Sequence, residues 1–206
     1  MSWPSIQSDV LHACQALLEP HGYKLVKSRT SFERPTATGR LSVRLLFVAS
    51  DVGNYSLRVG CGVRHDAIER IVDMGRAPEQ RSNSAWTINA EWSNPLSLNS
   101  AEEQAEAVSG LHEYIRAVAL PFLGREYSLE DFSTLLNVTD AEGLPIERSG
   151  MGVHFWQRGL AAARLAGDGR FESLRRHYTH RVHSLSNGLY LPEFEKSLTY
   201  MDDHIA

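Results

Sequence analysis

Apolar residues recur every three to four positions over residues 4–19, where Ile6, Val10, Ala13 or Cys14, and Leu17 share one side of a helix. Pro4 suits the first turn of such a helix, and Gly22 in "PHGY" offers the left-handed backbone that ends one. The period then shortens to two. "KLVKSRTSFER" (24–34) holds a weak first pair of strands. In "RLSVRLLFVAS" (40–50), Leu41, Val43, Leu45 and Phe47 face one way. In "YSLRVGCGVRH" (55–65), Tyr55, Leu57, Val59, Cys61 and Val63 do the same, and the intervening "DVGN" predicts a hairpin turn. A short helix over 66–74 opens on Asp66, whose charge suits the helix dipole. "AWTINAEW" (85–92) alternates once more.

From residue 100 the pattern turns helical. "SAEE" (100–103) and "SLED" (128–131) are capping boxes, in which the first side chain and the fourth bond each other's backbone N–H. The first of these helices runs to about Leu120, where Pro121 ends or kinks it. Two helices follow over 153–166 and 170–185, separated by "GDG", and a last one begins near Pro192. One entry helix, then strands, then helices predicts an α+β fold: an antiparallel sheet of about 4–5 strands flanked by an N-terminal helix and a C-terminal set of helices. The expected division is a sheet domain with its long helix over 1–136 and a helical extension over 137–206 packed on it.

Composition changes this picture little. The 206 residues are 42% hydrophobic and 22% charged, enough for a sizeable core, and the net charge of −4 draws neither nucleic acid nor anionic lipid as a whole. Two cysteines, Cys14 and Cys61, make no disulfide framework, so a reduced cytoplasm is expected. The interrupted apolar pattern of "MSWPSIQSDVLHACQALLEP" does not read as a secretion signal, and no apolar run suits a membrane helix. The charge is uneven: residues 24–81 hold eleven Lys and Arg against six acids, and residues 101–147 hold two Arg against ten acids.

Chemistry is advertised most loudly by "SLRRHYTHRVHSL" (173–185). At 100° per residue, Phe171, Leu174, Tyr178, Val182 and Leu185 form one narrow apolar stripe. His177, His180 and His183 fan across the opposite side and diverge by about 120°, too far to close on one ion. Arg170, Arg175, Arg176 and Arg181 suit phosphate, yet few aromatics interleave them and neighbouring segments are acidic. The stretch therefore reads as the wet side of a helix, with no metal, and nucleic acid is not the favoured partner.

Other signals have structural explanations. Gly60-x-Gly62 lacks the third glycine of a dinucleotide loop, since position 65 is His65, and reads as a close approach on a strand. Cys61 would need His65 or His12 beside it to act as a nucleophile, and its place in the alternation makes it core filler. Glu130 and Asp131 serve a helix start. "MDDHIA" reads as a loose charged end. The helical hairpin with Trp156 and Gly159 resembles one tetratricopeptide unit, but no copies recur at its period. No catalytic residue and no cofactor is expected.

Gly22-Tyr23 at the end of the first helix, "SFER", and a hairpin with an arginine-rich outer side form a layout over residues 5–135. It resembles a bacterial family of domains of unknown function, some members of which resemble immunity proteins that neutralise toxins. The resemblance implies a cytoplasmic α+β binding module and transfers no catalytic residues. The alternatives are a small hydrolase-like enzyme with His65 or His154 as base, and a nucleic-acid binder.

The alternation that buries one hairpin face gathers Arg40, Arg44, Arg58 and Arg64 on the other. Like charges across strands repel, so an acid must answer them. Either the acidic helix bearing Glu102, Glu103, Glu106 and Glu113 covers this face, or an acidic protein partner docks there. Leu46 and Val48 on the same side favour covering at that end, which leaves Arg58 and Arg64 as the expected exposed pair.

Overall fold

The computed structural model describes residues 3–50, 53–81, 85–92, 94–140 and 152–205. It has the α+β architecture expected, with a six-stranded antiparallel sheet in the order β1-β2-β3-β4-β5 and β6 also paired with β4. The strands are β1 (Lys24–Val26), β2 (Ser31–Pro35), β3 (Gly39–Ala49), β4 (Tyr55–His65), β5 (Ile88–Glu91) and β6 (Leu96–Ser97). Most of the loop between residues 137 and 152, and positions 51 and 52 of the hairpin turn, lie outside the described residues.

The described residues form two compact units, each made of two stretches of chain. The first comprises Met1–Arg64 and Asn89–Glu126, the second His65–Ile88 and Tyr127–Ala206.

In the first unit, α1 (Trp3–Leu18) buries Ile6, Val10, Cys14 and Leu18, a strict four-residue spacing that takes Leu18 in place of Leu17. Gly22 then turns back with φ of 81°, as a helix-ending glycine does. Leu41, Val43, Leu45, Leu57, Val59, Cys61 and Val63 are buried as the alternation predicts, together with Phe32, whereas Phe47 and Tyr55 of the same pattern are half-buried. Two helices lie on that face. Trp3 of α1 stacks on Tyr55 at 4.3 Å and meets Phe47 edge-on. Tyr114, at the end of α3 (Ala101–Tyr114), donates its hydroxyl to the Ala90 carbonyl at 2.6 Å and lies against Cys61. Burial pushes the Cys14 thiol up to about 12 and raises Cys61 as well, so both cysteines are protonated core filler.

Ser100 and Glu103 form the expected capping box of α3. Pro121 does not break this helix outright. A π-helical stretch at Ile115–Ala119 leads into α4 (Leu120–Gly124), and Pro121 sits in the first turn of α4. Proline has no N–H for the fourth carbonyl before it, and a π turn placed just ahead absorbs that mismatch.

The second unit is helical: α2 (Asp66–Gly75), α5 (Leu129–Leu136), α6 (Val153–Leu165), α7 (Phe171–Ser184) and α8 (Leu191–His204). α2 packs on α6 and α8, and α5 packs on α6. Phe171, Leu174, Tyr178 and Val182 are buried as one stripe, while Arg176, His180 and His183 are exposed; Leu185 and His177, the latter edge-on to Tyr178, are half-buried instead. "MDDHIA" is less loose than expected: Met201 is buried in α8, and Asp202 takes both prongs of Arg175 at 2.9 and 2.8 Å.

Candidate partner-binding site

Strand register builds the outer face of the sheet. Lys24 pairs with Glu33 and Glu33 with Ser42, so these three side chains share one side. Ser31 pairs with Arg44 and Pro35 with Arg40, which puts both arginines in the same row. One acid that meets them is Glu33 of β2, and Glu91 of β5 also acts on Arg44. The Glu33 carboxylate accepts two bonds from Arg29 Nη1, at 3.0 and 3.4 Å, and one from Ser31 Oγ at 2.8 Å. Arg40 Nη1 stands 3.8 Å from its other oxygen. Arg44 is half-buried and held below its ordinary pKa, first by burial and also by the charge of Arg29, while Glu33 pulls the other way.

Of the two alternatives, covering of the arginines by the acidic helix is not what the structure has. α3 lies on the opposite, apolar face, and Glu103 is spent on its own cap and on Ser97 Oγ at 2.8 Å. A carboxylate two residues from Ser31 answers the charge because the β2–β3 register carries it there.

The four arginines do not form one exposed set. Arg58 is exposed, Arg40 and Arg44 are half-buried, and Arg64 is only 8% exposed. The expectation that Arg58 and Arg64 form the exposed pair is thus wrong for Arg64. Its neighbours in the outer row of β4, Gly60 and Gly62, are buried too, so that end of the strand is covered. The hairpin end is open instead: Leu46 is 54% exposed and Val48 38%. The Ser50 N–H donates to the Asn54 carbonyl there, and Leu46 and Arg58 each stand four residues from that closure on adjacent strands.

The second unit carries two polar clusters that sequence reasoning missed. Glu69, wholly buried on α2, receives Arg158 Nε at 2.7 Å, Arg158 Nη2 at 3.0 Å and Thr87 Oγ1 at 2.9 Å. Elsewhere His154 Nδ1 lies 3.0 Å from both Glu193 Oε1 and Gln157 Oε1. Both neighbours are acceptors, so Nδ1 is the nitrogen that bears a proton toward them. The hydroxyl in this cluster, Ser197 Oγ, is buried and takes the Gln157 amide at 3.0 Å. The arrangement joins α6 to α8 and presents no exposed nucleophile. His65 is buried edge-on against Phe132, and burial holds its imidazole below the ordinary value. Its main-chain N–H bonds Thr87 Oγ1 at 2.9 Å, a structural role. No signal in the sequence joins Glu69 to Arg158, which stand 89 positions apart.

Among the described residues no group of three or more His, Cys, Asp and Glu side chains is placed to hold a metal, and no helix is long and apolar enough to cross a membrane. No protein-family model, curated protein or solved structure matches the chain.

Proposed function

We propose that the protein is a non-enzymatic binding module of a bacterial cytoplasm, of the immunity type, which holds an acidic protein partner against the open hairpin end of its sheet. One observation carries the reading: Leu46 and Val48 stand exposed on a sheet face beside the exposed Arg58. Apolar side chains at the centre of a contact with arginine at its margin suit a protein surface. They gain nothing from a phosphate chain, which speaks against nucleic acid. Arginine pairs with carboxylates in two-pronged fashion and steers an acidic partner toward the face. Arg64, being buried, is not part of this surface.

The test is co-expression with the product of the adjacent gene. That product alone is expected to arrest growth, and this chain to relieve the arrest through a stable complex. Leu46→Asp with Arg58→Glu is expected to abolish both complex and relief while the fold, followed by circular dichroism, stays intact. A harmless neighbour, or relief that survives the double variant, contradicts the reading.

A further inference from the structure

The outer face holds its own carboxylate where an acidic partner would place one. We propose that Glu33 is a built-in competitor, occupying Arg29 so that only a surface able to displace it binds strongly; this rests on the acidic-partner reading above. Glu33 takes the Arg29 guanidinium through both carboxylate oxygens, and the Ser31 hydroxyl pins the oxygen that makes the shorter contact. The Arg29 side chain is 36% exposed, so water and an incoming group reach it, whereas the Glu33 side chain is 14% exposed. Lys24, directly opposite Glu33, is exposed on the same side.

A single carboxylate from solution exchanges one ion pair for another on this face and gains little, since exposed pairs are weak. A partner presenting several carboxylates gains from Arg58 and Lys24 as well, and can release Glu33. The device sharpens selectivity by penalising weakly charged surfaces, a difference of affinities rather than a gain in any one.

The probe is a twelve-residue glutamate peptide titrated against the full chain at low salt. Glu33→Gln is expected to bind it about two- to five-fold more tightly than the wild type, the size of one exposed ion pair set free. Ser31→Ala, which loosens the Glu33 carboxylate without changing charge, is expected to shift affinity the same way by less, and it decides the matter where Glu33→Gln fails to fold. Adding Arg29→Gln to Glu33→Gln is expected to cancel the gain. Equal or weaker binding by Glu33→Gln, no gain by Ser31→Ala, or a gain that persists without Arg29 overturns the proposal. So does tighter binding of a short DNA duplex than of the peptide to Glu33→Gln. Arg58→Glu separates the two readings. If it weakens the peptide while Glu33→Gln does not tighten it, the competitor fails and the docking face stands. If Arg58→Glu changes nothing while Glu33→Gln tightens, the docking face fails alone.

Discussion

Arg158 grips Glu69 with two parallel bonds, Nε to Oε1 at 2.7 Å and Nη2 to Oε2 at 3.0 Å, and the carboxylate is wholly shut off from solvent. Removing water from a charge is expensive, and the paired guanidinium and the Thr87 hydroxyl offset it here. Arg158→Met is therefore expected to cost roughly 3–5 kcal/mol, read from urea unfolding, because it takes the guanidinium from a buried carboxylate. Replacing both partners, as Glu69→Leu with Arg158→Met, is expected to recover most of that loss. A single variant as stable as the wild type would mean that water reaches the carboxylate.

Gly75 closes α2 against α8. A methyl group there would collide with the Glu193 carbonyl, meet Ser197 Oγ at 2.6 Å and approach the Gln157 amide nitrogen at 2.9 Å. Backbone and buried side chains cannot give way cheaply, so Gly75→Ala is expected to destabilise by about 1–3 kcal/mol. The same change at Gly169, where no atom lies within 4 Å, is the control for a glycine without close neighbours. Thermal melts of the two variants check the contrast.

The two sides of α7 are expected to respond oppositely. Leu174→Ala, in the buried stripe, is expected to cost roughly 2–5 kcal/mol. His180→Ala, on the exposed side, is expected to change stability by less than about 0.5 kcal/mol. Denaturant midpoints of the two variants measure this directly, and a neutral Leu174→Ala would turn the stripe into an exposed surface.

Asp168 in the "GDG" turn gives a pH dependence. Arg170 bonds both of its carboxylate oxygens, at 3.1 and 2.7 Å, and Ser133 Oγ donates at 2.7 Å. These bonds, those from Arg170 first, hold the carboxyl well below the usual carboxylate range. A carboxylate depressed in the folded state stabilises above its unfolded pKa, and that contribution is lost as pH falls through the lower folded value. Asp168→Asn is thus expected to be less stable than the wild type at pH 7, with the gap closing on acidification below about pH 4. A gap that stays constant to low pH would exclude the charge as its cause.

Local pattern carried most of the elements, because helix caps, glycine turns and alternation act over a few residues. Ser100 with Glu103, Ser128 with Asp131, and Gly22 stand as expected. What a side chain meets across the fold was less legible. Arg64 alternates outward like Arg58, yet only long-range packing decides that one is covered and the other bare. Glu33 looked incidental within "SFER" until the register set it among arginines. The helix start at 66–74 drew notice to Asp66 and not to Glu69, whose partner Arg158 lies far along the chain. The strand predicted at 85–92 shrinks to Ile88–Glu91, and Leu96–Ser97 adds a pairing with β4 too short to show as a pattern. Leu46 and Val48 were expected to be covered and instead define the open end.

The way each unit is stitched from two separate stretches has a consequence for synthesis on the ribosome. α2 leaves the exit tunnel with Ile68, Ile71 and Val72 on its apolar side, but the helices that bury them, α6 and α8, are translated much later. Glu69 waits 89 residues for Arg158. Through that interval the nascent chain displays a greasy helix carrying an acid whose arginine partner is not yet made, and the acid itself discourages premature burial in the wrong place. Final closure of the helical unit is thereby deferred until the last helix has emerged, which makes a chain cut short before α8 a target for chaperones and proteases.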